Sequence, residues 1–120
     1  FEEVCLKHIS QIKYALHIGA VSSQESSLIV KGSEETDGMQ IDLLIDRADD
    51  AVNVCEMKFY KAPYAVTKGY AQVLNSRLQA LEEKNPTKTF LLTYVGNSEL
   101  VSNEYSDIFR ASVTLDDLFI

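Results

Sequence analysis

Asp42, Glu56 and Lys58 are the residues of this chain whose types and spacing could do chemistry. Asp42 lies in the run Gln40-Ile41-Asp42-Leu43-Leu44-Ile45-Asp46, and the other two lie in Val52-Asn53-Val54-Cys55-Glu56-Met57-Lys58, beyond a polar turn. Folded as a hairpin with Asp46 opposite Val52, the runs place Asp42 directly opposite Glu56. Cross-strand Cβ atoms are about 4.5–5.5 Å apart, and like charges at that separation repel. A cation between the carboxylates removes the repulsion. Lys58, two residues beyond Glu56, falls on the same face because side chains along a strand alternate. Mg2+ or Mn2+ takes such oxygen ligands, and the backbone carbonyl of Met57, between Glu56 and Lys58, adds a third to Asp42 and Glu56. An ion held there would polarise a phosphate and acidify water. Lys58 would orient that water or offset charge on the phosphoryl oxygens. The competing reading is a solvated sheet face on which Lys58 neutralises two acids, and a short motif alone does not separate the two.

Other polar residues are weaker candidates. Gln40 shares the Asp42 face, where it would steady a metal-bound water or serve as an ordinary strand-end residue. Arg77, at the edge of a helical stripe, would meet a substrate phosphate or simply lay its stem over the core. Lys61 and Lys68 flank the Pro63 loop and would begin a basic rim, or belong to a solvated loop. Cys5 and His8 have helical i, i+3 spacing, but no second ligand pair accompanies them, so a core role is expected rather than zinc. Asp49-Asp50 and Asp116-Asp117 read as a turn and a helix start. No glycine-rich phosphate loop is present, and two histidines do not assemble a Ser–His–Asp set.

The elements that must position these groups are set by hydrophobic period and turn residues. Phe1 to about His17 is helical, with Val4, Cys5, His8, Ile9, Ile12, Ala15 and Leu16 on one side. On that wheel Glu2 sits at the edge of the apolar stripe and Glu3 points away, so only Glu2 reaches an interior site. Ser26–Lys31 reads as a strand with Leu28 and Val30 on one face, followed by a polar loop over 32–38. Met39–Asp46 and Ala51–Tyr60 are strands joined through Arg47-Ala48-Asp49-Asp50. In the first, Ile41, Leu43 and Ile45 share a face opposite Gln40, Asp42, Leu44 and Asp46. In the second, Cys55, Met57 and Phe59 oppose Val54, Glu56 and Lys58. Thr67 caps a helix over about Lys68–Glu83, whose core stripe is Tyr70, Ala71, Val73, Leu74, Leu78 and Leu81. Asn85-Pro86 ends it. The apolar run Thr89–Val95 is a strand buried on both faces, and Ala111–Val113 a last short one. A long helix between strands implies a crossover, and so a mixed sheet flanked by helices.

At 120 residues the chain is expected to form one domain over 1–120. Eighteen acidic against eleven basic side chains give a net charge of −7, which opposes avid binding to nucleic acid through phosphates alone. No apolar run is long enough to span a membrane, and no signal-peptide pattern is present. Two cysteines without metal or redox spacing favour a reducing cytoplasm. The chain enters a helical pattern at Phe1 without an initiator Met, as expected of a domain that continues from an N-terminal part.

The segment Gly38–Asp46 followed by Cys55-Glu56-Met57-Lys58-Phe59 resembles the active-site hairpin of the PD-(D/E)XK nuclease superfamily. More narrowly, the chain is similar to the nuclease-like C-terminal domain that follows the ATPase module in prokaryotic AAA-type, archaeal-type ATPases. Phe1-Glu2, Tyr70-Ala71 with Leu74 and Arg77, and Val113–Phe119 extend the similarity over essentially the whole chain. Ile41 stands where the motif's name has proline, and Tyr70 and Gln72 do not reproduce the Gln/Tyr helix spacing of the RecB-like branch. The resemblance implies an α/β, restriction-endonuclease-like αβββαβ core. It implies that Asp42 and Glu56 are the metal-binding acids, Lys58 the motif lysine, and Glu2 the accessory helical acid. The expected activity is Mg2+- or Mn2+-dependent phosphodiester hydrolysis on DNA, coupled to an N-terminal ATPase. The alternative is a nuclease-fold module, weak or inactive in catalysis, that serves DNA or protein interaction or homo-oligomerisation.

Overall fold

Alternating apolar residues in the two acidic runs build the middle of a sheet. Strands β2 (Met39–Arg47) and β3 (Ala51–Lys58) pair antiparallel with Asp46 opposite Val52, as the turn length requires. The computed structural model describes residues 2–30, 39–60, 62–114 and 116, and the side chains of residues 2, 3, 27–30, 39 and 40 lie outside that description. Strand β1 (Ser23–Val30) runs antiparallel to β2, while β4 (Thr89–Gly96) is parallel to β3 and β5 (Ala111–Thr114) parallel to β4. The spatial order is β1-β2-β3-β4-β5. Helices α1 (Glu2–Lys7) and α2 (Ile9–Ala15) precede the sheet, and α3 (Lys68–Lys84) connects β3 to β4. The fold is therefore α/β, a mixed sheet flanked by helices in the αβββαβ order expected from the sequence.

Each face of the sheet has its own apolar layer. Cys5 and Ile12 from α1 and α2 pack on Leu43, Ile45, Cys55, Met57, Val95 and Val113. Ala71, Leu74 and Leu81 from α3 pack on Ile41, Val52, Val54, Leu92 and Tyr94. Both faces of β3 and β4 are thus covered, which is why those strands read as near-continuous apolar runs. The α3 start is set by Thr67, whose hydroxyl oxygen accepts from the Tyr70 N–H at 3.2 Å, a cap worth about 1 kcal/mol. Asp50 takes a left-handed φ of 64° in the β2–β3 turn, a conformation that Asp tolerates better than most residues.

Several expected details differ. The first helix is broken at His8, whose φ of −121° and ψ of 32° are not helical. Its Nδ1 bonds the Val4 carbonyl at 2.7 Å, the acceptor a regular helix would reserve for the His8 N–H. Strand β1 begins at Ser23, earlier than expected, because a polar Ser-Gln-Glu-Ser stretch gives no hydrophobic signal on an edge strand. The facing of Leu28 and Val30 lies outside the described side chains, and the expected loop over 32–38 lies outside the described residues, as does Asp117. Strand β3 ends at Lys58, so Phe59 and Tyr60 leave the sheet. Val73, expected in the core, is 45% exposed.

Ile41 joins the α3 layer instead of sharing a face with Leu43 and Ile45. The cause is an irregularity in β2: Ser26 pairs with Leu44, but Leu28 pairs with Ile41, so β2 holds one extra residue. Such a bulge reverses the alternation beyond it. It falls at Asp42.

Candidate functional site

The bulge decides how Asp42 enters the site. The β2–β3 ladder stops at Leu43 opposite Cys55, although both strands continue. Asp42 is therefore not a ladder partner of Glu56, which corrects the simple hairpin register. Its carboxylate instead turns to β3 and accepts the Met57 N–H through Oδ2 at 2.9 Å. The Asp42 side chain occupies a place on β3 that a backbone carbonyl would fill in a regular sheet.

Glu56 is 3% exposed, on the α3 side of β3. Its Oε2 accepts from the Tyr70 hydroxyl at 2.9 Å, and its Oε1 from Arg77 Nη1 at 3.2 Å. Burial raises the Glu56 carboxyl above the usual range; the Tyr70 hydrogen bond opposes this, the negative charge of Asp42 adds to it, and Arg77 and Lys58 counter it. The same burial, with Glu56 alongside, pushes the Tyr70 hydroxyl upward, so it remains a donor. Tyr70 and Arg77 stand at i, i+7 on α3, two turns apart on one face.

Lys58 follows on the same face of β3, as alternation requires. Its Nζ lies 4.4 Å from the centre of the Tyr70 ring and 5.9 Å from that of Tyr64. Tyr64 in turn stacks on Tyr94 at 5.8 Å and meets Tyr70 edge-on at 6.5 Å. An aromatic floor thus carries the ammonium, and each cation–π contact contributes about 0.5–1 kcal/mol or more as water is excluded.

Asp42, Glu56 and Lys58 are thereby brought to the end of the β2–β3 ladder. Of the other expected site residues, Arg77 reaches the site but its guanidinium is on Glu56, not held out for a phosphate. Lys68 is exposed at the start of α3. Glu2 is in α1 and Gln40 in β2, but both side chains lie outside the described residues, as does Lys61 entirely. Asp46, predicted on the Asp42 face, pairs with Lys88 through both oxygens at 2.9 Å. Tyr64 and the Tyr70–Glu56 bond were not foreseen; the i, i+7 spacing of Tyr70 and Arg77 was the signal for the latter.

Among the described residues, no group of three or more His, Cys, Asp or Glu could hold a metal ion. Asp42, Glu56 and the Met57 carbonyl nevertheless form an all-oxygen set suited to Mg2+ or Mn2+, ions that keep several waters and need only one or two carboxylates. A strand residue's N–H and C=O point towards the same neighbour; the Met57 N–H points at Asp42, so its carbonyl faces the same gap. A carboxylate offers about four lone-pair positions, more than the bonds named here use on either acid. The donor set fits such an ion.

No family model and no curated protein matches the chain. A crystal structure of a protein of unknown function, AF1548, matches it with a TM-score of 0.60 at 14% sequence identity. The match covers 96% of this chain and 64% of that one, so the chain spans less than two thirds of the matched protein. That likeness shows the α/β fold alone. Among the described residues no helix is long and apolar enough to cross a membrane.

Proposed function

We propose that the chain is a PD-(D/E)XK-type nuclease domain that hydrolyses phosphodiester bonds in DNA with the help of Mg2+ or Mn2+. The observation that carries this reading is the Asp42 carboxylate on the Met57 N–H, which puts both acids and Lys58 at one break in the sheet. Asp42, Glu56 and the Met57 carbonyl would hold the ion. When bound, it supplies Lewis-acid stabilisation of the phosphate and a more acidic water. Lys58, kept on the α3 face by the Tyr70 and Tyr64 rings, orients the attacking water and offsets negative charge as the P–O bond breaks. Tyr70 fixes the Glu56 rotamer by its hydrogen bond. Glu2 on α1 would assist through a water. An N-terminal ATPase in the same polypeptide and a cytoplasmic setting complete the proposal; the buried thiols Cys5 and Cys55, neither of them in a disulfide, support the latter.

A second reading has its own observation. Arg77 and Tyr70 both occupy Glu56, and a divalent ion must share that carboxylate with a guanidinium. If Arg77 holds it more strongly, the fold serves as a non-cleaving module for DNA or protein interaction, or for homo-oligomerisation. Cleavage of linear, nicked and single-stranded DNA decides between the two. We expect product with Mg2+ or Mn2+ and none in excess chelator. No cleavage of any substrate with either ion, alone or with the ATPase and ATP, overturns the nuclease reading.

A further inference from the structure

Immediately past Lys58 the chain exposes two adjacent aromatic side chains, Phe59 at 67% and Tyr60 at 52%. Their backbone is held firmly. The Tyr60 N–H donates to Asn97 Oδ1 at 2.6 Å, and the Tyr60 carbonyl accepts from Asn97 Nδ2 at 2.7 Å and Ser98 Oγ at 3.0 Å. Asn97 also donates its own N–H to the Lys58 carbonyl at 3.4 Å. Four polar bonds to Asn97 and Ser98, just past β4, thus fix a segment that presents aromatic rings to water. The Tyr60 ring meets Tyr64 edge-on at 5.2 Å, and Tyr64 is part of the floor beneath Lys58. The exposed rings are therefore continuous with the candidate site.

Charge narrows what such rings would receive. A net charge of −7 gives duplex DNA, which offers mainly phosphates and hides its base faces, little to bind. Unpaired bases offer π faces, and stacking on aromatic side chains is worth about 1–3 kcal/mol per base whatever the sequence. A backbone held in advance, as at Tyr60, leaves less freedom to lose on binding. We infer that Phe59 and Tyr60 form a stacking subsite for unpaired bases, so that the substrate is a single-stranded DNA segment threaded beside Asp42, Glu56 and Lys58. The inference rests on the phosphodiester reading of that site for its biological sense, but it is tested by binding alone.

The test is fluorescence anisotropy of labelled oligothymidylate, about 16 nucleotides long, against a duplex of equal length, in chelator. The chain lacks tryptophan, so quenching of tyrosine emission by the stacked base gives a second readout. The wild-type chain is expected to bind the single strand more tightly than the duplex, with tyrosine quenching. Phe59→Ala and Tyr60→Ala should each weaken that binding about fivefold or more, while Phe59→Trp, which keeps a stacking face, retains it. Equal affinity for duplex, unchanged affinity in both alanine variants, or self-association through these rings with no DNA bound would each overturn the inference. Single-strand binding without cleavage under any metal condition leaves the subsite standing and removes the nuclease reading. Duplex cleavage indifferent to Phe59 and Tyr60 does the reverse.

Discussion

Replacing Lys58 by alanine is expected to lower DNA cleavage by about 100- to 1,000-fold, the usual effect of removing one preorganised group that stabilises transition-state charge. The fold should survive. Lys58 is only half-buried at the end of β3, and its Nζ contacts are with ring faces, contributing about 1 kcal/mol. The melting temperature should therefore fall by only a few degrees, which separates a chemical role from a structural one. Loss of the ammonium also leaves the Glu56 and Asp42 charges less balanced, since Lys58 is among the groups that hold the Glu56 carboxyl down. Lys58→Arg keeps the charge but replaces a compact ammonium by a planar fork, so partial activity is expected. Cleavage by Lys58→Ala at the wild-type rate would remove Lys58 from the chemistry and return it to the role of a surface neutraliser.

Gly96→Ala is expected to destabilise the chain by roughly 3 kcal/mol, at the upper end of overpacking effects. Gly96 and Tyr94 point to the same face of β4, two residues apart. The Tyr94 side chain lies over the glycine, so that an added Cβ would overlap its hydroxyl oxygen and Cζ. Tyr94 cannot easily yield. It is fully buried, donates its hydroxyl to the Ser98 carbonyl at 2.6 Å, stacks on Tyr64 and meets Phe109 edge-on at 5.8 Å. Displacing it moves Tyr64, one of the two rings beneath Lys58. Gly96 also pairs with Lys58 across the β3–β4 ladder. A thermal melt should thus show a large drop, accompanied by weaker cleavage from the fraction that remains folded. A melting temperature equal to that of the wild type would mean that Tyr94 does not pack as described.

Hydrophobic period and turn length made much of the hairpin legible before its structure was known. The Arg47-Ala48-Asp49-Asp50-Ala51 connection set Asp46 against Val52, and the parity of Glu56 and Lys58 set both on one face. Thr67 was readable as a cap because an N-cap signal is local. The bulge at Asp42 was not readable: one inserted residue changes neither composition nor hydrophobicity, only the partner each later residue meets. That single shift moved Ile41 to the opposite layer and took Asp42 out of the ladder. The break at His8 depends on a ring nitrogen reaching one carbonyl, a choice invisible to a helical wheel. The Asn97 clamp on Tyr60 joins positions far apart in the chain, and nothing local marks it. Arg77 was placed correctly at the edge of the α3 stripe, but its partner is a carboxylate, which only the packing of α3 over β3 determines.

That Arg77–Glu56 pair sharpens what the carboxylates are for. A buried acid with a neighbouring acid is unfavourable without positive charge, and here Arg77 and Lys58 supply part of it. A divalent cation would supply more, and its binding to the folded chain alone would stabilise it by about 2.7 kcal/mol at a hundred times its dissociation constant. The most direct test is therefore the melting temperature during a Mn2+ titration of the wild-type chain, Asp42→Asn and Glu56→Gln. Glutamine retains an acceptor for Tyr70 but turns its NH2 towards Arg77, so each variant is compared with its own metal-free melting temperature. A shared metal site predicts that Mn2+ raises the wild-type melting temperature and that both variants lose the rise. No rise at millimolar Mn2+, or an equal rise in all three, would contradict it.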